Sequence, residues 1–224
     1  MEPTIYVDMR SQPCRAVVMF LSCSTIPHSI SKVDVLKGDQ KKPEYSSLCP
    51  LMKVPGMKHG SLSISESVAI IRYLAAKFPD KYPDHWYPAD LSHRAKIDEY
   101  ISFHHQGMRE PLSGLVEKIL FVPEPLPKER IDEQVKFCNV SLDVFERVFI
   151  SDTPFISGDE ISVADALAVN EILDPNVCGY DFTKDRPKLK EYVDRIRTRL
   201  GPDLFDQIYE ESKQWAKEIK ESKQ

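Results

Sequence analysis

The spacing of apolar residues changes character once along this chain, from short alternating runs mixed with helical stretches to helical periods throughout. Thr4–Met9, T-I-Y-V-D-M, is rich in β-formers and predicts a strand. Pro13 suits the first turn of a helix, where the N–H it lacks would have no partner anyway. That helix should run through Arg15 to about Ser24, with Val17, Val18, Phe20 and Leu21 as a broad apolar face, and stop at Ile26-Pro27. Ser29–Leu36 alternates in part, through Ile30, Val33 and Val35, and predicts a second strand. Lys37–Pro43 is polar and holds breakers, hence a loop, and Glu44–Leu48 has room for one helical turn.

Met52–Ser67 carries three signals in succession. Val54-Pro55 asks for an extended backbone or a turn. His59-Gly60 separates two short runs as a hairpin turn does. Ser65-Glu66-Ser67 precedes the apolar helical run Val68–Phe78 as capping residues do. An extended segment that stops at a proline offers its backbone groups to something outside the sheet, a helix N-terminus favours an anion, and Glu66 beside it favours an ammonium. A small peptide-like zwitterion would meet all three. An ordinary hairpin followed by an ordinary cap accounts for the same residues, and the residues alone leave both readings open.

The order β-α-β, loop, β-β-α makes residues 1–78 one small α/β domain with a right-handed crossover and a hairpin on the same sheet. Residues 79–88, P-D-K-Y-P-D-H-W-Y-P, have no helical period and read as a linker. Residues 89–224 read as all helical. Leu91–Phe121 forms one long helix, kinked or split near Pro111, and Val122–Pro127 ends it with alternate prolines. Lys128–Phe149 follows, with Ile131, Val135, Phe137, Leu142 and Phe145 as its apolar positions. After a loop at Pro154–Glu160, Ser162-Val163-Ala164-Asp165 has the form of a capping box. Arg186-Pro187 opens a helix to Leu200, and Asp203 to about Glu221 is the last, running into a charged tail, Lys217–Gln224, that should fray.

Composition narrows the function. With 224 residues, 42% hydrophobic and 29% charged, the chain suits two domains of a soluble globular protein. A net charge of −5 argues against nucleic acid as a partner. No run is long enough to span a membrane, and the start lacks a basic leader before an apolar core, so neither membrane nor secretion is expected. Five scattered cysteines without a C-x-x-C fit a reducing, cytoplasmic compartment rather than a disulfide framework or zinc site. His104 and His105 are adjacent, so on a helix they point about 100° apart and one metal ion cannot easily use both; no metal is expected.

Taken in order, S-Q-P-C-R-A-V at Ser11, V-D-V-L-K-G at Val33, K-V-P at Lys53, S-E-S-V-A-I at Ser65, D-H-W-Y-P at Asp84, R-A-K-I-D-E-Y at Arg94 and S-V-A-D at Ser162 resemble the cytosolic glutathione S-transferases, most closely the theta class, over nearly the whole length. The resemblance implies an α/β thioredoxin-like N-terminal domain, an all-α C-terminal domain that supplies the electrophile site, a homodimer, and no cofactor beyond glutathione as co-substrate. It implies conjugation of the glutathione thiolate to small electrophiles: alkyl halides, epoxides and sulfate esters, with hydroperoxide reduction beside them. It also implies a cis peptide bond before Pro55. The end of the last helix so near Gln224 implies an electrophile site without the extra covering segment that relatives often carry.

Residue by residue, the resemblance gives Val54 a backbone pairing with the cysteinyl amide of glutathione, Glu66 its ammonium, and Ser67 its γ-glutamyl carboxylate. Gln40, Lys41 and Lys53 lie toward the glycyl carboxylate; many theta-class members have histidine at the position of Gln40, and glutamine brings a hydrogen bond without charge. Lys41 also reads as a solvated lysine of a polar loop. Ser11 before Q-P is most often a helix cap; the resemblance makes it the catalytic hydroxyl that donates to the sulfur. Arg109 corresponds roughly to an arginine near the thiol, and Arg15 suits packing or surface charge. Cys14 stands where thioredoxin-like oxidoreductases keep the second cysteine of C-x-x-C, but Ser11 occupies the first place, which disfavours a thiol oxidoreductase and makes Cys14 a small buried residue. A non-catalytic binding protein of the same fold is the alternative; one that had retired the site should have lost some of Ser11, Glu66 and Ser67, all present here.

Overall fold

The computed structural model describes residues 2–222. Strands β1 (Thr4–Val7), β2 (Ser29–Lys32), β3 (Gly56–His59) and β4 (Leu62–Ser65) form a sheet of order β2-β1-β3-β4. β1 runs parallel to β2 and antiparallel to β3, and β3 and β4 form the expected hairpin. Gly60, in its turn, has φ +61, where a side chain would be strained. Helices α1 (Gln12–Ser22) and α3 (Ser67–Lys77) pack together, and a short α2 (Pro43–Ser46) follows a single 3₁₀ turn at Asp39–Lys41.

β2 is shorter than the alternation predicts. After Lys32, Val33 N–H still reaches the Val7 carbonyl, but the Asp34 and Val35 amides donate instead to the carboxylates of Asp39 and Asp8. Side chains there replace the ladder and turn the chain away.

The remaining helices are α4 (Leu91–His104), α5 (Glu110–Leu120), α6 (Lys128–Val148), α7 (Val163–Leu173), α8 (Pro187–Leu200) and α9 (Pro202–Ser222). The expected break in the long helix is a wider π turn, His105–Arg109, just before Pro111. Proline has no N–H to give the carbonyl of Gly107, and that carbonyl accepts the Ser141 hydroxyl of α6 instead. Asp165 closes the capping box at Ser162, and its other oxygen accepts Ile156 N–H and the Tyr192 hydroxyl. The tail expected to fray continues α9 as far as Ser222; Lys223 and Gln224 lie outside the described residues.

One further expectation changes. Phe137, read as an apolar face residue of α6, is exposed, while Cys138, Ser141, Leu142 and Phe145 make the buried face. In the segment at residues 79–88 Trp86 and Tyr87 are buried, and Trp86 meets Phe20 of α1 edge-on at 6.1 Å. One apolar cluster runs from Ile5 and Phe20 through Trp86 to Leu142 and Tyr192, so the sheet layer and the helical layer share a core. Among the described residues no helix is long and apolar enough to cross a membrane.

Candidate active site

Register across the sheet decides which loops meet. Tyr6 of β1 lies opposite Gly56 of β3, and Gly56 opposite Ser65 of β4. Everything just beyond that row leaves the sheet at one end: Asp8–Ser11 after β1, Val54-Pro55 before β3, and Glu66-Ser67 after β4. Neighbouring strands are about 4.8 Å apart, so these three segments sit within about 10 Å of one another. Val7 pairs with Lys32 in parallel, which brings the loop carrying Gln40 and Lys41 out at the same end.

Ser11 is held by its backbone. Its N–H donates to the Asp8 carbonyl at 2.9 Å and its carbonyl accepts Arg15 N–H at 3.1 Å. The preceding residues are fixed by Arg10, which forks onto Asp8 at 2.9 and 2.7 Å and reaches Asp34 at 2.5 Å. Ser11 occupies the N-cap position of α1, but its side chain makes no capping bond, and its hydroxyl lies against the Cys14 thiol instead. Cys14, one turn on, is fully buried as expected; burial pushes its thiol up to about 12, against hydrogen bonds from Asp8 backbone and the Ser11 hydroxyl.

The Val54-Pro55 peptide is cis. Val54 lies outside the ladder, and its backbone makes no backbone hydrogen bond among the described residues. The Tyr45 hydroxyl donates to the Lys53 carbonyl at 2.5 Å, and Tyr45, Cys49 and Val33 form a small core behind it. Only glycine fits at position 56, because a Cβ would overlap the Cys49 sulfur and the Tyr45 hydroxyl.

Glu66 precedes α3 at φ +74, a conformation strained for a residue with a side chain, and makes no capping bond. The expectation that Ser65, Glu66 and Ser67 cap the helix through their side chains is therefore corrected. Ser67 is the first helical residue and is buried, and the N–H groups of this first turn have no helical acceptor. Lys41, Lys53 and Glu66 are exposed and form no ion pair among the described residues. The Gln40 side-chain oxygen is buried without a partner.

Behind Ser11 lies a polar seam that sequence reasoning missed. Arg15 is fully buried, not a surface charge: it donates to Asn170 at 2.8 Å and to the Met9 and Arg10 carbonyls at 3.0 and 2.8 Å, lies 3.5 Å from Asp174, and packs over the Tyr209 ring. Gln12 donates to Ser113 at 2.6 Å and to Asp174. Ser113 donates to Glu171 at 2.8 Å, and Arg109 donates to the other Glu171 oxygen at 2.8 Å. Burial raises the Asp174 carboxyl to about 7 despite Arg15. Burial pushes Glu171 the same way, but the charge of Arg109, with His104 and Ser113, brings it down to about 2. The available signal was Asn170-Glu171, a polar pair inside the otherwise apolar helix A-L-A-V-N-E-I-L. His104 is buried 3.4 Å from Glu171 and His105 is exposed.

Residues 5–82 match the family described as glutathione S-transferase, N-terminal domain, and residues 113–199 the one described as glutathione S-transferase, C-terminal domain. Mouse glutathione S-transferase theta-3 is 36% identical over 210 residues, covering 92% of this chain and 86% of that protein. The structure of human glutathione transferase theta-2 in complex with glutathione and an unknown ligand superposes with a TM-score of 0.92 at 30% identity, covering 98% of this chain and 91% of the other. A human theta-class transferase in complex with the glutathione conjugate of 1-menaphthyl sulfate gives 0.88 at 31% identity, covering 98% and 92%. The chain belongs to the glutathione S-transferases, in the theta class.

Proposed function

We propose that this transferase binds glutathione across the end of the sheet and conjugates its thiolate to small electrophiles such as alkyl halides, epoxides and sulfate esters, with hydroperoxide reduction as a related activity. The observation that carries the reading is the shared row Tyr6–Gly56–Ser65, beyond which a hydroxyl not spent on capping, an extended backbone outside the ladder and an open helix start emerge together. Val54 pairs with the cysteinyl amide, Glu66 with the ammonium, Ser67 and the first turn of α3 with the γ-glutamyl carboxylate. Gln40, Lys41 and Lys53 face the glycyl carboxylate. The human relative solved with a sulfate-derived conjugate supports sulfate esters as one electrophile class.

Ser11 donates to the sulfur and holds it as thiolate, with Arg109 as an assisting charge. A free thiol has a pKa of about 8.5. Lowering it by about two units takes about 2.7 kcal/mol of preference for the anion. A hydrogen bond to a charged group supplies about 1.5–3 kcal/mol, and the start of α1 about 0.3–1 kcal/mol. These suffice without a general base. The test is Ser11→Ala: the thiolate of bound glutathione, followed by ultraviolet difference absorption across pH, should form at higher pH, and turnover should fall while glutathione still binds. An unchanged midpoint assigns the sulfur to another group.

The functional division falls at residues 1–78 and 89–224, with 79–88 between them, and the active form is a homodimer in a reducing, cytoplasmic environment that keeps the five cysteines free. Exposed Leu51, Met52 and Leu91 offer apolar surface to a second copy. Sedimentation showing only a 25.7 kDa species at micromolar concentration would overturn the dimer.

A further inference from the structure

We propose that Glu171 is a positioning residue for thiol activation, joining Arg109 on one carboxylate oxygen to the start of α1 on the other through Ser113 and Gln12. The proposal rests on the reading of Ser11 given above and names the group behind it. Gln12 follows Ser11 directly, and its amide nitrogen is fixed by Ser113 at 2.6 Å and by Asp174. The helical layer thus grips the first residue of α1, whose N-terminus presents the Ser11 hydroxyl.

The direction of each bond in the chain follows from its end. An ionised carboxylate only accepts. Ser113 therefore gives its single hydrogen to Glu171, which leaves a lone pair for Gln12. Gln12 uses one N–H there and the other on Asp174. Glutamine at position 171 has the same size but both a donor and an acceptor. To keep Arg109, its oxygen must face the guanidinium, and its NH₂ then faces Ser113. The Ser113 hydrogen loses its acceptor. Gln12 could supply one only by turning its amide, which would give up its own bond to Asp174 and, where Asp174 is ionised, press its carbonyl oxygen against that carboxylate. All the present bonds therefore require an acceptor-only group at 171.

The charged and titratable groups around Glu171 come from five elements: Arg109 from the π turn, His104 and Tyr100 from α4, Arg15 from α1, Asp174 just beyond α7, and Tyr209 from α9. Glu171 itself stays ionised throughout the neutral range, whereas Asp174 titrates within it. The thiolate is therefore read by its own absorption and not by rate alone. Charge and position also predict opposite signs. Neutralising Glu171 leaves Arg109 unbalanced, which by charge alone favours the thiolate and lowers its midpoint. Loss of position at Ser11 raises it.

The experiment uses the full chain with glutathione and a reactive alkyl halide, comparing wild type, Glu171→Gln, Ser113→Ala, Ser11→Ala and the Ser11→Ala/Ser113→Ala pair. Ser113→Ala cuts the link with every charge kept, so it decides the matter should Glu171→Gln fail to fold. Both single changes in the seam should raise the thiolate midpoint by about half a unit or more. Both should lower kcat by about fivefold or more, in line with small misplacements at a reacting group, with KM for glutathione within about twofold because Glu66 and Ser67 are untouched. On the Ser11→Ala background, Ser113→Ala should add no further shift. An unmoved midpoint in Ser113→Ala, a lowered one in Glu171→Gln, or a full extra shift in the double variant would overturn the role of Glu171. If Ser11→Ala alone leaves the midpoint unmoved, the reading of Ser11 falls instead.

Discussion

Two groups of polar side chains meet at the start of α1, and they are treated in opposite ways. Those on the sheet side, the exposed Lys41, Lys53 and Glu66 and the buried amide oxygen of Gln40, have no ion partner and no donor among the described residues. Those on the helical side, Arg15, Glu171, Asp174, Asn170 and Ser113, are buried and bonded to one another. Burying a charge is costly unless it is paired, so the helical set is a fixed framework. Leaving charges unpaired at an open rim costs little, and under the proposed function the sheet set meets a ligand that arrives with its own ammonium and carboxylates. The boundary between the two passes between Ser11 and Gln12.

The sharpest way to break this comparison is at Arg15. Arg15→Met removes one partner of a buried pair and strands Asp174 and two carbonyls. It should cost about 3–5 kcal/mol in urea unfolding; near wild-type stability would mean that the seam is not a framework. On the rim, Glu66→Ala should weaken glutathione by about 1.5–3 kcal/mol in titration calorimetry, while thermal stability stays close to wild type. A large loss of stability there would erase the distinction.

Asp174 gives a pH signature of the buried set. Its folded carboxyl lies at about 7, above the ordinary 3.8, so between those values the folded state holds a proton that the unfolded state has released. Stability from this group therefore falls as pH rises from 3.8 toward 7. Glu171 has the opposite sign: its contribution is present above 4.5 and is lost as pH falls toward about 2. The Tm of wild type relative to Asp174→Asn should accordingly decline between pH 4 and pH 8; a constant difference would contradict the burial of an ionised group. The smallest expected effect is at Lys41, where alanine should cost glutathione binding less than about 1 kcal/mol because the lysine is exposed and screened.

Element order was largely legible because each boundary had a local chemical cause. Pro13, His59-Gly60, Ser162 with Asp165, and Gly201-Pro202 act within a few residues of where they stand. The candidate rim was legible for the same reason, since Val54-Pro55 and Glu66-Ser67 are contiguous signals. What did not show was everything that depends on distant partners. β2 ends early because carboxylates from positions 8 and 39 take its amides. Arg15 reads equally as packing or as surface charge until Asn170 and Asp174 arrive from more than 150 residues away. Glu66 looked like a capping residue, yet its backbone adopts a conformation that no propensity assigns to glutamate.

The π turn at His105–Arg109 bears on how this chain tolerates changes in length. A π turn holds one residue more than the α-helix on either side of it. Deleting one residue there, such as exposed Gln106, would let the backbone run on as regular helix with its two halves facing as before. Each residue of an α-helix, however, sets its successor about 100° around the axis. Ile97 and Tyr100 before the turn and Leu112 and Leu115 after it are all fully buried, so neither half can rotate to absorb a residue lost from α4 or α5 themselves, which hold no extra residue to give up. A single-codon deletion within α4 or α5 should therefore be far more damaging than the same deletion in the π turn, or at Pro123–Pro125, where exposed chain can take up the slack.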